Sequence, residues 1–568
     1  MLASPLLAPP PTEEQRRSNN KHNLGVVAAV LAVLFLYAYV FTHVGAHVGL
    51  PLPQDVVESD GFYVEDVFDS ERHVKTGLWM DSGGKSWGED DEMSVYYLLL
   101  VAAFLCVYFL PVRHKRDALS LWTGLIFGVI YGTNSLAFLL LGHLVTYLVL
   151  HPDRRKRPWT AALPGLAAAF ALQGHGVPFF VLLAVLPPAT LILYRYAFRR
   201  LVVHRIAGRI LRTCVVQSLL ITVFAGVVIA GLWGREWGIP VGLLLFFGHW
   251  MRLILYHADY KDGLVPPDLS LRGYLANFLC PAVVPRAFWQ TVSQGYAYTE
   301  SVFLSEDKNL IAMGGVKLLL WGLLFTVGGN WFVYRISEGL GNLGIEAYWG
   351  HIGLLSEQYV YDGRVSAASV LVTSLLQLTR FTFYMAGIAH FKVGVWRICG
   401  FNVAPHFNNW MGSTDFVTLW GRFSFHRREF LLRAFFYPVF FRLSKFRPKL
   451  RVSIAIFAAA CLGHMIWIRG VEQLFYSGMG TGALRAVWVA WPYDVLQAAA
   501  IISCQLFLMG RKRRRRPWTL GKGLIWDVLA AYLTLQLFGL IHIFGYSAPS
   551  VSAWDRLKIF LLAFGLRF

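Results

Sequence analysis

His464 is the residue whose chemistry stands out first in this sequence, because it lies inside the apolar run 451–468. An ionisable side chain at bilayer depth is costly, and it usually faces the interior of a helix bundle or a wet cavity. Imidazole accepts a proton near neutral pH, so His464 is a candidate general base. The neighbouring Gly463 has no side chain, which would let another backbone or a ligand approach closely.

A structural role for His464 is equally open at this point. A buried imidazole can serve only to hydrogen-bond a neighbouring helix, because buried polar groups need a partner. The position of His464 in an apolar run therefore allows both roles, and the surrounding sequence must decide between them.

The composition predicts that the helices around His464 belong to an integral membrane protein. The chain has 568 residues, of which 56% are hydrophobic and only 15% are charged. A soluble domain carries about a quarter charged residues, and a single soluble core stops growing near about 250–300 residues. Lipid can cover the apolar surface that one core could not hide. We therefore expect an all-α, polytopic fold.

The positive charge of the chain is explained best by membrane topology. The net charge is +19, and the basic residues form short clusters between apolar runs at 113–116, 154–157, 199–212 and 511–516. An excess of lysine and arginine marks cytoplasmic loops, so all four clusters are expected inside the cell. This pattern argues against a nucleic-acid partner and favours a multi-pass protein of the inner or plasma membrane.

Four segments follow from the order of polar and apolar stretches. A cytoplasmic tail, expected to be disordered, precedes the first transmembrane helix, and an acidic extracytoplasmic loop separates that helix from a multi-span core. The bounds are 1–23 for the tail, 24–44 for the first helix, 45–93 for the loop and 94–568 for the core. The basic tail places the N-terminus in the cytoplasm.

The core alternates between apolar runs and short polar connections, which predicts about 11–13 transmembrane helices in the whole chain. The candidate spans of the core are 94–112, 118–132, 135–150, 160–174, 177–195, 214–233, 238–256, 315–333, 366–388, 451–468, 487–509 and 524–545, and 555–567 could span or lie at the surface. The stretch 391–450 is too polar to span and too aromatic to be a free loop. Because non-helical backbone at membrane depth must be buried in protein, we expect short helices there, on the cytoplasmic side.

No motif for a resident metal or cofactor is evident. The six cysteines are scattered singly and form no C-x-x-C pair, as zinc or redox motifs would require. His249, His257 and Asp259 lie close in sequence, but their spacing fits no standard zinc pattern, and interfacial packing is the preferred explanation over a metal. The chain also has no G-x-S-x-G elbow, P-loop or dinucleotide-binding glycines.

A spaced series of motifs lies upstream of His464. In chain order its members are Ala386-Gly387, Gly400-Phe401, Phe407-Asn408, and Trp420 with Arg422 and Phe423. This order resembles the central signature of the membrane-bound O-acyltransferase (MBOAT) family. It most resembles the bacterial branch that contains the membrane subunits of alginate O-acetylation and teichoic-acid D-alanylation. In this resemblance, which covers roughly residues 380–470, His464 corresponds to the second histidine of the family.

The series departs from the family pattern at several positions. Gly421 replaces the first of two core arginines, and His390 stands where many relatives have aspartate. Ser424 occupies the place of the first histidine of the family, and His426 follows two residues later. In an ideal helix these two side chains would point about 200° apart, so Ser424 and His426 stay alternatives for that role.

The resemblance implies a helical shell around a central tunnel in which an acyl group is transferred. The donor would be a cytoplasmic thioester, either acyl-CoA or an acyl-carrier protein, and the acceptor a hydroxyl of an envelope glycan, a lipid or a protein. His464 would be catalytic, with His426 and Ser424 as further catalytic candidates. The residues implied to contact the substrates are Asn408, Trp420, Arg422 and His390.

Two more expectations belong to this interpretation. The acidic loop could contact a periplasmic partner protein, as members of the bacterial branch sometimes do, although a loop that is only solvated is the preferred explanation. The alternative to an enzyme is a non-enzymatic transporter or scaffold subunit of an envelope assembly. Ser424, in the place of a catalytic histidine, is the best support for that alternative.

Overall fold

Helices make up the fold throughout the part of the chain that the structure describes. This computed structural model describes residues 13–39, 90–126, 140, 143, 147, 250–279, 292, 294–471, 481–509, 522–547 and 550–566. Within those ranges the only strand-like pairing is an isolated antiparallel bridge between Phe303 and Phe401. The prediction of an all-α protein is confirmed for these residues.

The helices of the described residues vary from single turns to more than thirty residues. In chain order they are α1 (Glu13–Tyr39), α2 (Asp90–Phe109), α3 (112–126), α4 (Trp250–Lys261), α5 (Leu271–Phe278), α6 (Tyr296–Val302), α7 (Lys308–Leu323), α8 (Gly329–Asn342), α9 (Ile352–Asp362), α10 (Ala367–Ile398), α11 (Phe416–Phe423), α12 (Phe425–Leu431), α13 (Tyr437–Arg442), α14 (Pro448–Phe457), α15 (Thr481–Met509), α16 (Lys522–Ile541), α17 (Ile543–Tyr546) and α18 (Ala553–Leu562). Wider π-helical turns lie at Leu324–Gly328, Leu432–Phe436 and Ala458–Val471, and short 3-10 turns at Tyr348–Gly350 and Trp410–Gly412.

Three helices of the described residues are long and apolar enough to cross a bilayer. They are Lys308–Asn342, Val489–Met509 and Ile525–Tyr546, with 35, 21 and 22 residues. A crossing needs about 20 apolar residues, and the expected spans 315–333, 487–509 and 524–545 fall on these helices. A membrane protein is therefore supported by helix length and composition.

Several of the sequence predictions about topology stay predictions. The spans expected at 135–150, 160–174, 177–195 and 214–233 lie almost entirely outside the described residues, as does most of the acidic loop 45–93. The total of about 11–13 spans, the central tunnel and the orientation of the N-terminus are not tested by the helices above.

The first helix begins earlier than the hydropathy of the sequence predicts. α1 starts at Glu13, inside the segment expected to be a disordered tail. A helix that is apolar from residue 24 onward can thus extend into polar sequence, because the polar residues before it still favour helical backbone.

The stretch 391–450 contains short helices, as predicted. α11, α12 and α13 follow one another between α10 and α14. Asp415 caps α11 by accepting a hydrogen bond from the backbone N–H of Thr418 at 2.7 Å, which satisfies one of the unpaired donors at a helix start. The cytoplasmic position of this stretch stays a prediction.

α7 and α10 form the central helix pair, and glycines bring their backbones together. A Cβ atom at Gly315 would lie 2.9 Å from the carbonyl oxygen of Gly394, and one at Gly322 would lie 3.0 Å from that of Gly387. The two glycines on each helix are seven residues apart, about two helical turns. The earlier glycine of α7 meets the later glycine of α10, so the two helices run antiparallel. Small residues of this kind permit close helix packing in membranes.

We expect Gly322→Leu to lower the stability of the protein, because a leucine side chain must push α7 away from α10. Overpacking of this kind costs typically about 1–3 kcal/mol. The measurement is the midpoint of thermal unfolding of the detergent-solubilised protein. Gly339→Leu is the matched control, since a Cβ at Gly339 meets no atom within 4 Å. Equal midpoints for the two variants would contradict the role of the glycine contacts.

Candidate active site

His464 and Asp494 form a buried hydrogen-bonded pair. The Nδ1 atom of His464 lies 2.8 Å from Oδ1 of Asp494. The side chain of Asp494 is fully buried, while that of His464 remains 9% exposed. The imidazole therefore keeps a small accessible surface, whereas the carboxylate has none.

Two helical segments bring this pair together, and each has an irregular feature at the site. His464 lies in the π-helical turns Ala458–Val471, and π-helical turns are frequent at functional sites. Asp494 lies on α15, two residues after Pro492 inside that helix. A proline in a helix interior has no N–H to donate to the carbonyl four residues earlier, so the helix is locally weakened beside Asp494.

Gly463 lies against apolar side chains, and the close approach of another backbone or of a ligand stays a prediction. A Cβ atom at this position would lie 2.9 Å from Cδ2 of Phe435 and 3.0 Å from Cδ2 of Leu431. The group that approaches Gly463 is thus a pair of apolar side chains from α12 and the π-helical turn after it. This contact fixes the segment that carries His464.

The bond to Asp494 determines which nitrogen of His464 can accept a proton. An ionised carboxylate can only accept hydrogen bonds, so Nδ1 of the imidazole is the donor. The other nitrogen, Nε2, is then unprotonated in the neutral ring and can act as a base. A buried carboxylate that orients an imidazole in this way is the arrangement found in hydrolytic and transfer sites.

Aromatic rings surround the imidazole. Trp420 meets His464 edge to face, with ring centroids 6.2 Å apart and an interplanar angle of 77°. Tyr493, next to Asp494 in the chain, lies 6.3 Å from His464 between ring centroids. The same tyrosine contacts His542, which is buried. These rings place aromatic surface beside the imidazole.

Two buried polar atoms near the pair have no hydrogen-bond partner among the described residues. One is Nε1 of Trp420, and the other is the amide oxygen Oε1 of Gln497. Gln497 follows Asp494 by three residues on α15 and therefore lies on the same helix face. Unsatisfied buried polar groups are rare in proteins, so each of these two calls for a partner.

Arg422 and Asn408 are joined to each other through the backbone. Arg422 donates from Nη1 to the carbonyl oxygen of Gly412 at 3.0 Å, and the backbone N–H of Asn408 donates to the carbonyl oxygen of Arg422 at 2.9 Å. The side chain of Asn408 is exposed. Arg422 therefore ties the loop before α11 to the end of that helix, and the substrate contacts expected of both residues stay predictions.

Ser424 and His426 lie in a second polar cluster, which includes His406. Oγ of Ser424 and Nε2 of His406 are 2.9 Å apart and share a hydrogen bond. The rings of His406 and His426 are stacked, with centroids 5.5 Å apart. All three residues are buried. Phe423, which precedes Ser424, contacts Trp420, so α11 connects this cluster with the surroundings of His464.

Both ring nitrogens of His426 are used within the protein. Nε2 donates to the carbonyl oxygen of Ala404 at 2.9 Å, and Nδ1 accepts from the side-chain amide of Gln294 at 3.2 Å. This pattern requires the neutral ring, and burial lowers the pKa of His426 to about 4. The geometry therefore favours a structural role for His426 over the catalytic role that the sequence leaves open.

His390 is placed on the central helix α10, away from solvent. Its ring stacks on Phe325 with centroids 5.6 Å apart, and its Nδ1 atom is buried without a hydrogen-bond partner in the described structure. Burial is the main reason why the pKa of His406 is lowered. A positive charge on His390 would lower the pKa of His406 further. The substrate contact expected of His390 stays a prediction.

The residues considered for a metal site from the sequence, among them His249 and Asp259, do not have a common role in the described structure. Asp259 is fully buried and pairs with Arg433, and it also accepts a hydrogen bond from the backbone N–H of Ala297 at 3.0 Å. These contacts give Asp259 a structural role that accounts for its burial. His249 lies outside the described residues.

Sequence reasoning missed Asp494, His406 and Gln497. Asp494 carried a usable signal, since it is an ionisable residue inside the expected span 487–509, the same signal that singled out His464. His406 and Gln497 had no comparable signal, because their importance comes from contacts made only in the folded chain.

Comparison with known proteins adds no family assignment. No protein-family profile matches the chain, and no curated protein sequence matches it. The chemistry of the site must therefore be inferred from its own residues and from the order of its motifs.

The low pKa of His426 predicts acid sensitivity. The unfolded chain takes up a proton at this residue below about pH 6.5, whereas the folded protein does so only near pH 4. The free energy of unfolding is therefore highest above about pH 6.5 and falls by about 3 kcal/mol as the pH decreases to about 4.

Thermal unfolding of the solubilised protein between pH 7 and pH 5 measures this effect. His426→Gln removes the contribution of this histidine to the pH dependence. The unfolding midpoint of the variant should therefore decrease less between pH 7 and pH 5 than that of the parent protein. The exposed His114 provides the control His114→Gln, which should keep the parental pH dependence. An unchanged pH dependence in His426→Gln would contradict the assignment.

Proposed function

We propose that this chain is a membrane-bound acyltransferase that moves an acyl group from a thioester to a hydroxyl. The observation that carries the proposal is the buried pair of His464 and Asp494, with a hydrogen bond of 2.8 Å between them. A buried imidazole with one nitrogen fixed by a carboxylate has the other nitrogen ready to accept a proton. Transfer to a hydroxyl requires a base of this kind.

The reaction uses His464 twice. Nε2 accepts the proton of the acceptor hydroxyl while the oxygen attacks the thioester carbonyl carbon. The tetrahedral intermediate then collapses, the carbon–sulfur bond breaks, and the imidazolium returns the proton to the leaving thiolate. The products are an ester and a free thiol, so atoms and charge balance without a resident cofactor.

Asp494 positions His464 and stabilises its charged form. The carboxylate holds Nδ1–H, which keeps the proton-accepting nitrogen directed away from it, and its negative charge compensates the imidazolium that forms during the reaction. The aromatic rings of Trp420 and Tyr493 limit the access of water, which would otherwise hydrolyse the thioester.

The order of motifs between residues 380 and 470 supports the same chemistry, because it resembles that of the MBOAT family. By that resemblance the donor is a cytoplasmic acyl-CoA or acyl-carrier thioester, and the acceptor is an envelope glycan or a related hydroxyl compound. The chain then lies in the inner or plasma membrane with its N-terminus in the cytoplasm, and a periplasmic protein can cooperate with it.

A transporter or scaffold subunit is the second candidate function, and the second polar cluster favours it. Ser424 stands in the place of a catalytic histidine and bonds His406, while His426 is held by Ala404 and Gln294. These residues are engaged within the protein. A chain that needs two free histidines for transfer would then be inactive, and only its helical shell would serve the assembly.

His464→Gln is expected to reduce acyl transfer on the order of 10²–10⁴-fold, the usual contribution of a general base. The measurement is transfer of a radiolabelled acetyl group from acetyl-CoA to envelope material by the protein reconstituted in liposomes. His351→Gln is the matched control, because His351 is also a buried histidine. Retained transfer in His464→Gln would exclude His464 as the general base. Absence of transfer by the parent protein with any thioester would favour the function as a scaffold subunit.

Asp494→Asn should also lower the turnover number by about 10⁴-fold. Asparagine preserves the size of the side chain, but its amide can donate to Nδ1 and so leaves the proton on Nε2, where it blocks the base. Single-turnover kinetics of the same transfer, together with the unfolding midpoint, separate this effect from instability. Asp259→Asn is the control, since Asp259 is another fully buried, charge-paired aspartate. Similar turnover in both variants would argue against an orienting carboxylate.

A further inference from the structure

The indole N–H of Trp420 is a buried donor without an acceptor. Nε1 is shielded from solvent, and no hydrogen-bond partner for it is present among the described residues. Buried donors in folded proteins almost always have a partner. The protein therefore keeps a polar group in its interior that its own described residues do not satisfy, which points to an acceptor supplied by a ligand.

The position of this donor is fixed from several sides. The ring of Trp420 meets His464 edge to face and also lies near Phe423 and Phe538, with centroid distances of 6.2, 5.9 and 6.3 Å. α11, which carries the ring, is held at its start by the Asp415 cap and at its end by the contact of Arg422 with Gly412. The indole is thus pre-organised beside the imidazole.

Acyl transfer needs a donor of this type close to the base. When the hydroxyl oxygen attacks a thioester, the carbonyl oxygen gains negative charge, and fixed N–H groups that meet it lower the barrier. Many enzymes use backbone N–H groups for this purpose. Here the base lies within a helix, where backbone N–H groups are bonded to carbonyls of the preceding turn, and the indole of Trp420 offers a side-chain donor beside the base.

We propose that Nε1–H of Trp420 binds the carbonyl oxygen of the acyl donor and stabilises the oxyanion that forms there. This inference rests on the proposed acyl transfer and names the residue that receives the thioester carbonyl. The hydrogen bond strengthens as the carbonyl double bond becomes a single bond to a charged oxygen. It weakens again when the carbonyl re-forms and the thiol departs.

A single neutral donor also indicates which group enters the site. An indole N–H can donate one hydrogen bond and carries no charge. It suits the uncharged carbonyl of a thioester better than a carboxylate or a phosphate, which would require a cation to compensate its charge. The subsite therefore selects an activated acyl group rather than the free acid.

Trp420→Phe tests the inference, because it keeps an aromatic ring and removes the N–H. The turnover number for acetyl transfer from acetyl-CoA should fall about 10²- to 10³-fold, as for the loss of an oxyanion donor, with little change in KM. Trp410→Phe is the matched control, since Trp410 is also buried and contacts Phe423. It should keep the parental turnover number.

Replacement of Trp420 by benzothienylalanine tests the role of the N–H if the phenylalanine variant fails to fold. This analogue has the shape of tryptophan with sulfur in place of the N–H. A lowered turnover number with an unchanged unfolding midpoint supports the donor, and parental turnover overturns it. If the analogue keeps parental turnover and His464→Gln loses transfer, the proposed function stands without this donor. Absence of transfer by the parent protein would instead overturn the function itself.

Discussion

The hydrogen bond between Asp494 and His464 is the constraint on which the candidate site depends. A carboxylate that is fully buried among apolar helices is tolerated only when a partner compensates it, because the desolvation of an ion costs several kcal/mol. The imidazole is that partner. The bond that satisfies the carboxylate also selects the tautomer of the ring. One interaction thus contributes to the packing of two helices and sets the direction in which a proton can be accepted.

The surrounding structure fixes the segments on both sides of that bond. Gly463 allows α12 and the turn after it to press against the segment of His464, and Arg422 anchors α11 so that Trp420 reaches the imidazole. Behind them, the glycine contacts of α7 and α10 join the two central helices closely. Each of these contacts involves backbone or a rigid ring, and such groups hold a geometry more firmly than flexible side chains do.

The sequence predicts the helices of this protein better than the partners of its site. Long apolar runs define the helices at 308–342, 481–509 and 522–546, because hydrophobic length is encoded locally. His464 could be found in the same way. Its partner Asp494 is 30 residues away, and His406 lies 18 residues before Ser424. Such pairings depend on how helices pack, which a single sequence does not specify, and motif order alone could not place the side chain of Asn408 at the surface.

The π-helical turns of Ala458–Val471 make the length of this segment matter more than its composition. A π-helical turn bonds residue i to i+5, so it accommodates more residues than an α-helix over the same rise. In an α-helix each residue advances by about 100°. A segment with a different number of residues before His464 would therefore present another side chain to Asp494, whereas an apolar substitution of equal length keeps the register.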